Sequence, residues 1–155
     1  MIVEDGTGLA NADALISVAY ADAYHTARGN AWAGSNAEKE QAIVRATDYV
    51  STMVFSGTRL TSAQALPWPR ADIGIPDAIK RATAEYALRA RAGALETDGA
   101  AGPAVIAESS KVGPLEETTT YAAPTLSSRS QRRAYPAADR LLAPYLVQLS
   151  DEVMV

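Results

Sequence analysis

A tryptophan held between two prolines, in the run Leu66-Pro67-Trp68-Pro69-Arg70, sets the first limit on how this chain folds. Neither proline donates a backbone hydrogen bond, and each restricts the residue before it, so no regular helix passes through the run. Residues 56 to 75 therefore read as an extended loop carrying one large apolar anchor, Trp68. Elsewhere the chain leans towards helix, because roughly a fifth of its residues are alanine, the residue with the highest helix propensity.

Four helical segments follow from periodicity and capping. The first spans about Val18 to Arg28, with Ser17 as N-cap, Gly29 beyond its end, and Tyr20, Tyr24 and Ala27 sharing a face. The second opens with Ser35-Asn36-Ala37-Glu38, a capping box in which serine and glutamate satisfy each other's orphan amides. Behind it Ile43, Ala46, Val50, Met53 and Val54 form an apolar stripe, and Gly57 is the expected stop. The third begins at Pro76, with Asp77 near the positive end of the helix dipole. Ile79, Ala82, Tyr86 and Ala90 mark its apolar face, Lys80, Arg81, Arg89 and Arg91 lie elsewhere on its surface, and Gly93 closes it. The fourth is short. It starts at Pro136, presents Ala138, Leu141, Leu142, Tyr145 and Leu146, and meets Pro144, which kinks or ends it.

Between the third and fourth helices the pattern changes. Residues 94 to 104 are rich in glycine and alanine and read as a loop. Val105 to Val112 and Leu115 to Tyr121 alternate and carry β-branched residues, which predicts a β-hairpin arm over 105–121 around Gly113-Pro114. Residues 122 to 134 are polar and irregular. The expected fold is mainly α: a small bundle of about four helices with a hairpin arm, long loops and an extended C-terminal tail. It is expected as one domain over residues 1–146, followed by a tail over 147–155. So much loop is unusual for a compact domain of this size, and it suggests arms that neighbouring molecules help to order.

Composition excludes several chemistries. The 155 residues include no cysteine, which removes thiol nucleophiles, cysteine-built zinc sites and disulfides. The single histidine, His25, is the only one a Ser-His-Asp triad could use, and no partner is designated for it, so it reads as a surface or helix-end residue. Asp13, Asp22 and Asp48 are too widely spaced for a carboxylate metal loop, and adjacent Glu116 and Glu117 point to opposite faces of a strand. Gly6-Thr7-Gly8 lacks the lysine of a phosphate loop and reads as a turn. The expectation is no catalytic residue, no metal and no cofactor.

Partners are expected instead. Trp68 has two readings, an interface anchor or a residue that folds its loop back onto its own core. The run Leu141, Leu142, Tyr145, Leu146, Val147 and Leu149 is too apolar for a free tail, which favours docking on a partner or a second copy. Arg129, Arg132 and Arg133 could touch DNA or an acidic surface, or simply face solvent. The net charge of −4 and pI near 5.0 argue against a dominant, sequence-independent affinity for nucleic acid while leaving room for a local basic patch. No run reaches the roughly 18 apolar residues of a membrane span, and the start Met-Ile-Val-Glu-Asp-Gly is acidic where a signal peptide is basic, so the cytoplasm is the expected place of synthesis and assembly.

The order of short motifs carries a resemblance. Val3-Glu4-Asp5-Gly6-Thr7-Gly8, Ala10-Asn11-Ala12-Asp13, and Ala23-Tyr24-His25-Thr26-Ala27-Arg28-Gly29-Asn30 come first. Arg45-Ala46-Thr47-Asp48-Tyr49 and Gln64-Ala65-Leu66-Pro67-Trp68-Pro69-Arg70 follow. Lys80-Arg81-Ala82-Thr83-Ala84-Glu85-Tyr86-Ala87-Leu88, Lys111-Val112-Gly113-Pro114-Leu115, and Tyr135-Pro136 with Asp139, Leu141 and Leu142 complete the set. In this order the chain resembles the small head–tail connector (adaptor) proteins of tailed bacteriophages, in the branch that carries the label DnaT-like single-stranded DNA-binding. The resemblance implies a structural virion protein of the neck, assembled in the bacterial cytoplasm as a ring of about twelve copies under the portal. Its implied partners are the portal protein, neighbouring copies, and the next neck component, a stopper or tail terminator. Double-stranded DNA would pass through the ring without specific binding. Trp68 and the 141–149 run would then be the interface candidates. The alternative is a single-stranded DNA-binding protein, which calls for a basic groove with stacking aromatics.

Overall fold

A computed structural model of the chain describes residues 1–96, 107–112, 115–120 and 134–147. The chain divides into two compact units, one made of Met1–Leu95 with Ala134–Val155 and the other of Glu96–Arg133.

The first unit is helical. Helix α1 (Val18–Thr26) starts where Ser17 caps it, the serine oxygen accepting from Tyr20 N. Its buried residues are Ala21 and His25, not the expected Tyr20, Tyr24 and Ala27. The helix is rotated from that expectation because both tyrosine hydroxyls reach carboxylates on α3, which keeps the rings half-buried at the helix edge. Helix α2 (Asn36–Ser51) carries the capping box as read, with Ser35 Oγ accepting from Glu38 N and a Glu38 carboxylate oxygen accepting from Ser35 N. It ends well before Gly57. Thr52 N and Met53 N turn back to Tyr49 O and Val50 O, a tightened last turn that throws Val54 outward at 70% exposure and sends Phe55 into the core.

Helix α3 (Asp77–Ala92) is the central helix and packs against α1, α2 and α4. It therefore buries a wider face than a two-helix contact needs, including Ile79, Ala82, Thr83, Tyr86, Ala87 and Ala90. Helix α4 (Pro136–Leu142) gives way at Pro144 to a single 3-10 turn, Ala143–Tyr145. It docks on α3 through Tyr86 Oη, which donates to Asp139 Oδ1 at 2.6 Å, and through an edge-to-face cluster of Tyr49, Tyr86 and Tyr135.

The proline-bracketed loop closes the other side of this core. Trp68 is fully buried, with Phe55 and Tyr145 edge-on to it at 5.3 and 5.8 Å between ring centroids. Buried Gln64 ties the loop by donating from Nε2 to Leu66 O and Pro69 O. The Trp68–Pro69 peptide is cis. Leu141, Leu142, Tyr145 and Leu146 of the apolar run after Pro136 join the same core. Leu142 is fully buried, Leu141, Tyr145 and Leu146 are half-buried, Ser56 N donates to Tyr145 O, and Val147 N donates to Val54 O. Its apolar character thus has an internal cause. Leu149 lies outside the described residues.

In the second unit, β1 (Ala107–Val112) and β2 (Leu115–Thr120) pair antiparallel, in register from Ala107 opposite Thr120 to Val112 opposite Leu115. Both strands fall within the ranges expected from the alternation. The result is a mainly α protein with four α-helices among the described residues.

Candidate functional site

Helices α1 and α3 face each other with two matched stripes. On α1, Tyr20 and Tyr24 are followed by Arg28 just past the helix end. On α3, Asp77, Arg81, Glu85 and Arg89 recur at the same four-residue spacing. Tyr20 Oη donates to Asp77 Oδ1 at 2.8 Å, and Tyr24 Oη donates to Glu85 Oε1 at 2.9 Å. Within α3, Arg81 pairs with Asp77 and Arg89 with Glu85, each at 2.6 Å. The Arg28 guanidinium lies 3.6 Å from the Tyr24 ring centroid, and its Nη1 donates to Tyr24 O. Tyr20, Ala23, Tyr24, Arg28, Asp77 and Arg81 line a cavity of about 180 Å³, and Ala23, Arg28, Asp77 and Arg81 open it to solvent.

The titrations of these groups follow from the geometry. Burial, with Asp77 adding to it, pushes the Tyr20 hydroxyl up to about 12. Burial and Glu85 push Tyr24 up as well. Burial works against ionisation of Glu85, but hydrogen bonds from Arg89 and Tyr24 outweigh it and hold the carboxyl below its usual range. Both tyrosines are therefore neutral donors to charged acceptors, and their rings are fixed. Arg81 and Arg89 are compensated by carboxylates, whereas Arg28 has no ion-pair partner among the described residues.

Other aromatic and cationic clusters are committed to structure. Trp32 is only 8% exposed. It is packed on His25 at 4.8 Å, donates from Nε1 to Asp22, and has Arg91 and Lys39 over its ring. Lys39 in turn holds the Asp22 carboxyl below its usual range. Arg70, nearly buried beside Phe55 and Trp68, donates from Nη1 to Gly57 O, while its Nε and Trp68 Nε1 have no acceptor. A larger hollow of about 590 Å³ is lined by Asp13, Glu40, Arg45 and neighbours but holds no aromatic ring.

The sequence-level candidates fare differently. His25 lies in the last turn of α1, at the helix end as one of its two readings had it, but it is fully buried and not at the surface. Asn30 Nδ2 donates to its Nδ1, and Nε2 faces Ala84 O at 3.1 Å, which places the neutral ring's proton on Nε2. Gly6-Thr7-Gly8 is a turn whose amides are already used, since buried Glu4 accepts from Gly6 N, Gly8 N and Leu9 N. Trp68 and Leu142 sit in the core, and Val147 is the exposed member of its run. Arg129, Arg132 and Arg133 lie outside the described residues. Among the described residues no group of His, Asp or Glu is placed to hold a metal ion, and no helix is long and apolar enough to cross a membrane. The α1–α3 groove is not among the sequence candidates, because the spacing of Tyr20 and Tyr24 predicts a core face. The available signal was the run of alternating charge on α3 at four-residue spacing.

Fold and groove define a small α-helical protein with an aromatic groove bordered by arginine. Compared with protein families, it belongs to the one described as "Putative DnaT-like ssDNA binding protein", whose model matches residues 1–155, the entire chain. No curated protein and no solved structure matches it. The family assignment corrects the head–tail connector expectation. The match over residues 1–155 is to the family of that description, and nothing points to a portal, a twelve-copy ring, a neck component or passively sliding duplex DNA. The motif order was informative, but it belonged to the alternative.

Proposed function

We propose that this chain binds single-stranded DNA. The observation that carries the reading is the family match over all 155 residues. Physical support comes from the α1–α3 groove, since binding an unpaired strand calls for cations along the backbone and aromatic rings beside the bases, and Arg28 with Tyr20 and Tyr24 brings the two together. With a net charge of −4 the attraction is local, so salt screens it readily. The reading is of binding rather than catalysis. It is supported by His25, the only histidine, whose ring nitrogens are both engaged inside the core.

Fluorescence anisotropy with a labelled oligothymidylate and a labelled duplex, titrated from low to physiological salt, tests it. The expected result is preference for the single strand, with log affinity falling against log salt by about 0.7 for each phosphate contacted. Replacing Arg129, Arg132 and Arg133 together with alanine is expected to lower both affinity and slope, because three clustered cations are removed. Absence of binding to the single strand at low salt overturns the proposal.

A further inference from the structure

We propose that the α1–α3 groove is a subsite for one unpaired nucleotide, with its base against the aromatic wall of Tyr20 and Tyr24 and its phosphate on Arg28. The inference rests on the single-stranded DNA reading and assigns it a place and a chemistry. Three observations carry it. The first is the uncompensated charge. Arg81 and Arg89 each have a carboxylate at 2.6 Å, whereas Arg28, among the described residues, spends only Nη1, on Tyr24 O, and leaves the rest of its donor fork for an anion. The second is preorganisation. Asp77 and Glu85 hold the two phenol hydroxyls, and the Arg28 guanidinium sits over the Tyr24 ring, so the rings are immobilised before a ligand arrives and little ordering cost remains at binding. The third is shape. A cavity of about 180 Å³ with an aromatic wall can receive a base face, and base faces are exposed only in unpaired nucleic acid. The Asp77 carboxylate inside the groove is neutralised by Arg81, so it does not repel the phosphate at full charge.

The full-length protein and its Arg28→Ala variant, titrated with labelled oligothymidylate, test the subsite. Photocrosslinking with an iodouracil-substituted strand, mapped by peptide mass spectrometry, gives a second readout. Arg28 is exposed and is not itself part of the buried core, touching it only through half-buried Tyr24, so the variant should fold, and circular dichroism checks this. The expected result is an affinity about tenfold lower, a salt slope smaller by about 0.7, and wild-type crosslinks on the peptide holding Tyr20 and Tyr24. Arg28→Lys should recover the slope but not the full affinity, since it keeps the charge and loses the planar fork. If the wild type binds and Arg28→Ala binds equally well with an unchanged slope, the subsite is wrong while the functional reading stands. If the wild type itself does not bind at low salt, the functional reading has failed and takes the subsite with it.

Discussion

At the scale of single residues, buried polar groups decide the geometry around the groove. His25 lies on α1 between Tyr24 and the turn that leads to Trp32, and it is fully buried. Asn30 Nδ2 already donates to its Nδ1, so a second proton there would set two donors against each other. Burial holds its pKa below the usual histidine range. The hydrogen bond to Ala84 O and the Glu85 charge oppose this, and Arg28 and Arg89 add to the depression. The sign of the linkage follows. Below about pH 6.5 the unfolded chain takes up a proton that the folded chain resists, so stability is fully present above that pH and falls as pH drops towards the folded-state value. The lowered carboxyls, Asp5, Asp22, Glu38 and Glu85, all titrate from ordinary values of 3.8 or 4.5, so the window from pH 6.5 to 5.5 isolates this one histidine. Urea midpoints should fall across that window with a slope of at most about 1.4 kcal/mol per pH unit, and His25→Gln should flatten the dependence. A flat wild-type profile would show that His25 is not held neutral. The sequence could not place this residue, because its partner Ala84 lies on another helix and a lone polar residue beside exposed positions carries no mark of burial.

At the scale of elements, local rules were readable where a few neighbouring residues settle the outcome. The box at Ser35 and Glu38 is such a case, with serine and glutamate exchanging bonds between 2.7 and 3.3 Å. Ser35→Ala removes the cap from the longest stretch of α2 packing and should lower Tm by about 3 °C in differential scanning calorimetry, with the groove unaffected because it lies on α1 and α3. An unchanged Tm would mean that solvent replaces the cap at no cost. The hairpin strands were also legible, from alternation and β-branched residues on either side of Gly113-Pro114. The end of α2 was not. No breaker precedes Gly57, and the helix stops at Ser51 because Phe55 is drawn into the core against Trp68, a contact across thirteen residues that periodicity does not encode. Likewise, the two prolines announced an irregular loop, but only packing by Phe55, Tyr145 and Gln64 shows that its tryptophan is internal. The two tyrosines of α1 fell between these cases. Their spacing marks a shared face, but their rotation to the helix edge depends on Asp77 and Glu85 of a helix more than fifty residues away.

At the scale of the molecule, the helical unit is discontinuous, and residues 96 to 133 are inserted into it. The insertion leaves and re-enters at neighbouring points, because Tyr135 Oη donates to Leu95 O at 2.9 Å. Both residues are buried, and α4 is held beyond the return point by the Asp139 bonds to Tyr86 and to Tyr135 N. The helical unit thus contains its own closing contacts. Exchanging residues 96–133 for a short Gly/Ser linker should preserve it, since closing a short loop between adjacent ends costs little chain entropy and removes no core side chain of that unit. Far-ultraviolet circular dichroism and a cooperative thermal transition are the measurements, and a loss of cooperativity would show that the helical unit depends on the insertion. The same variant apportions the DNA affinity. It deletes Arg129, Arg132 and Arg133 but keeps Tyr20, Tyr24, Arg28 and Arg81. A chain that folds, binds a single strand with a reduced salt slope, and loses the remainder on Arg28→Ala would divide the contacts between the inserted arginines and the groove. If binding is instead unchanged by the exchange, the groove and its surroundings carry the affinity, and the arginine cluster is a solvated segment.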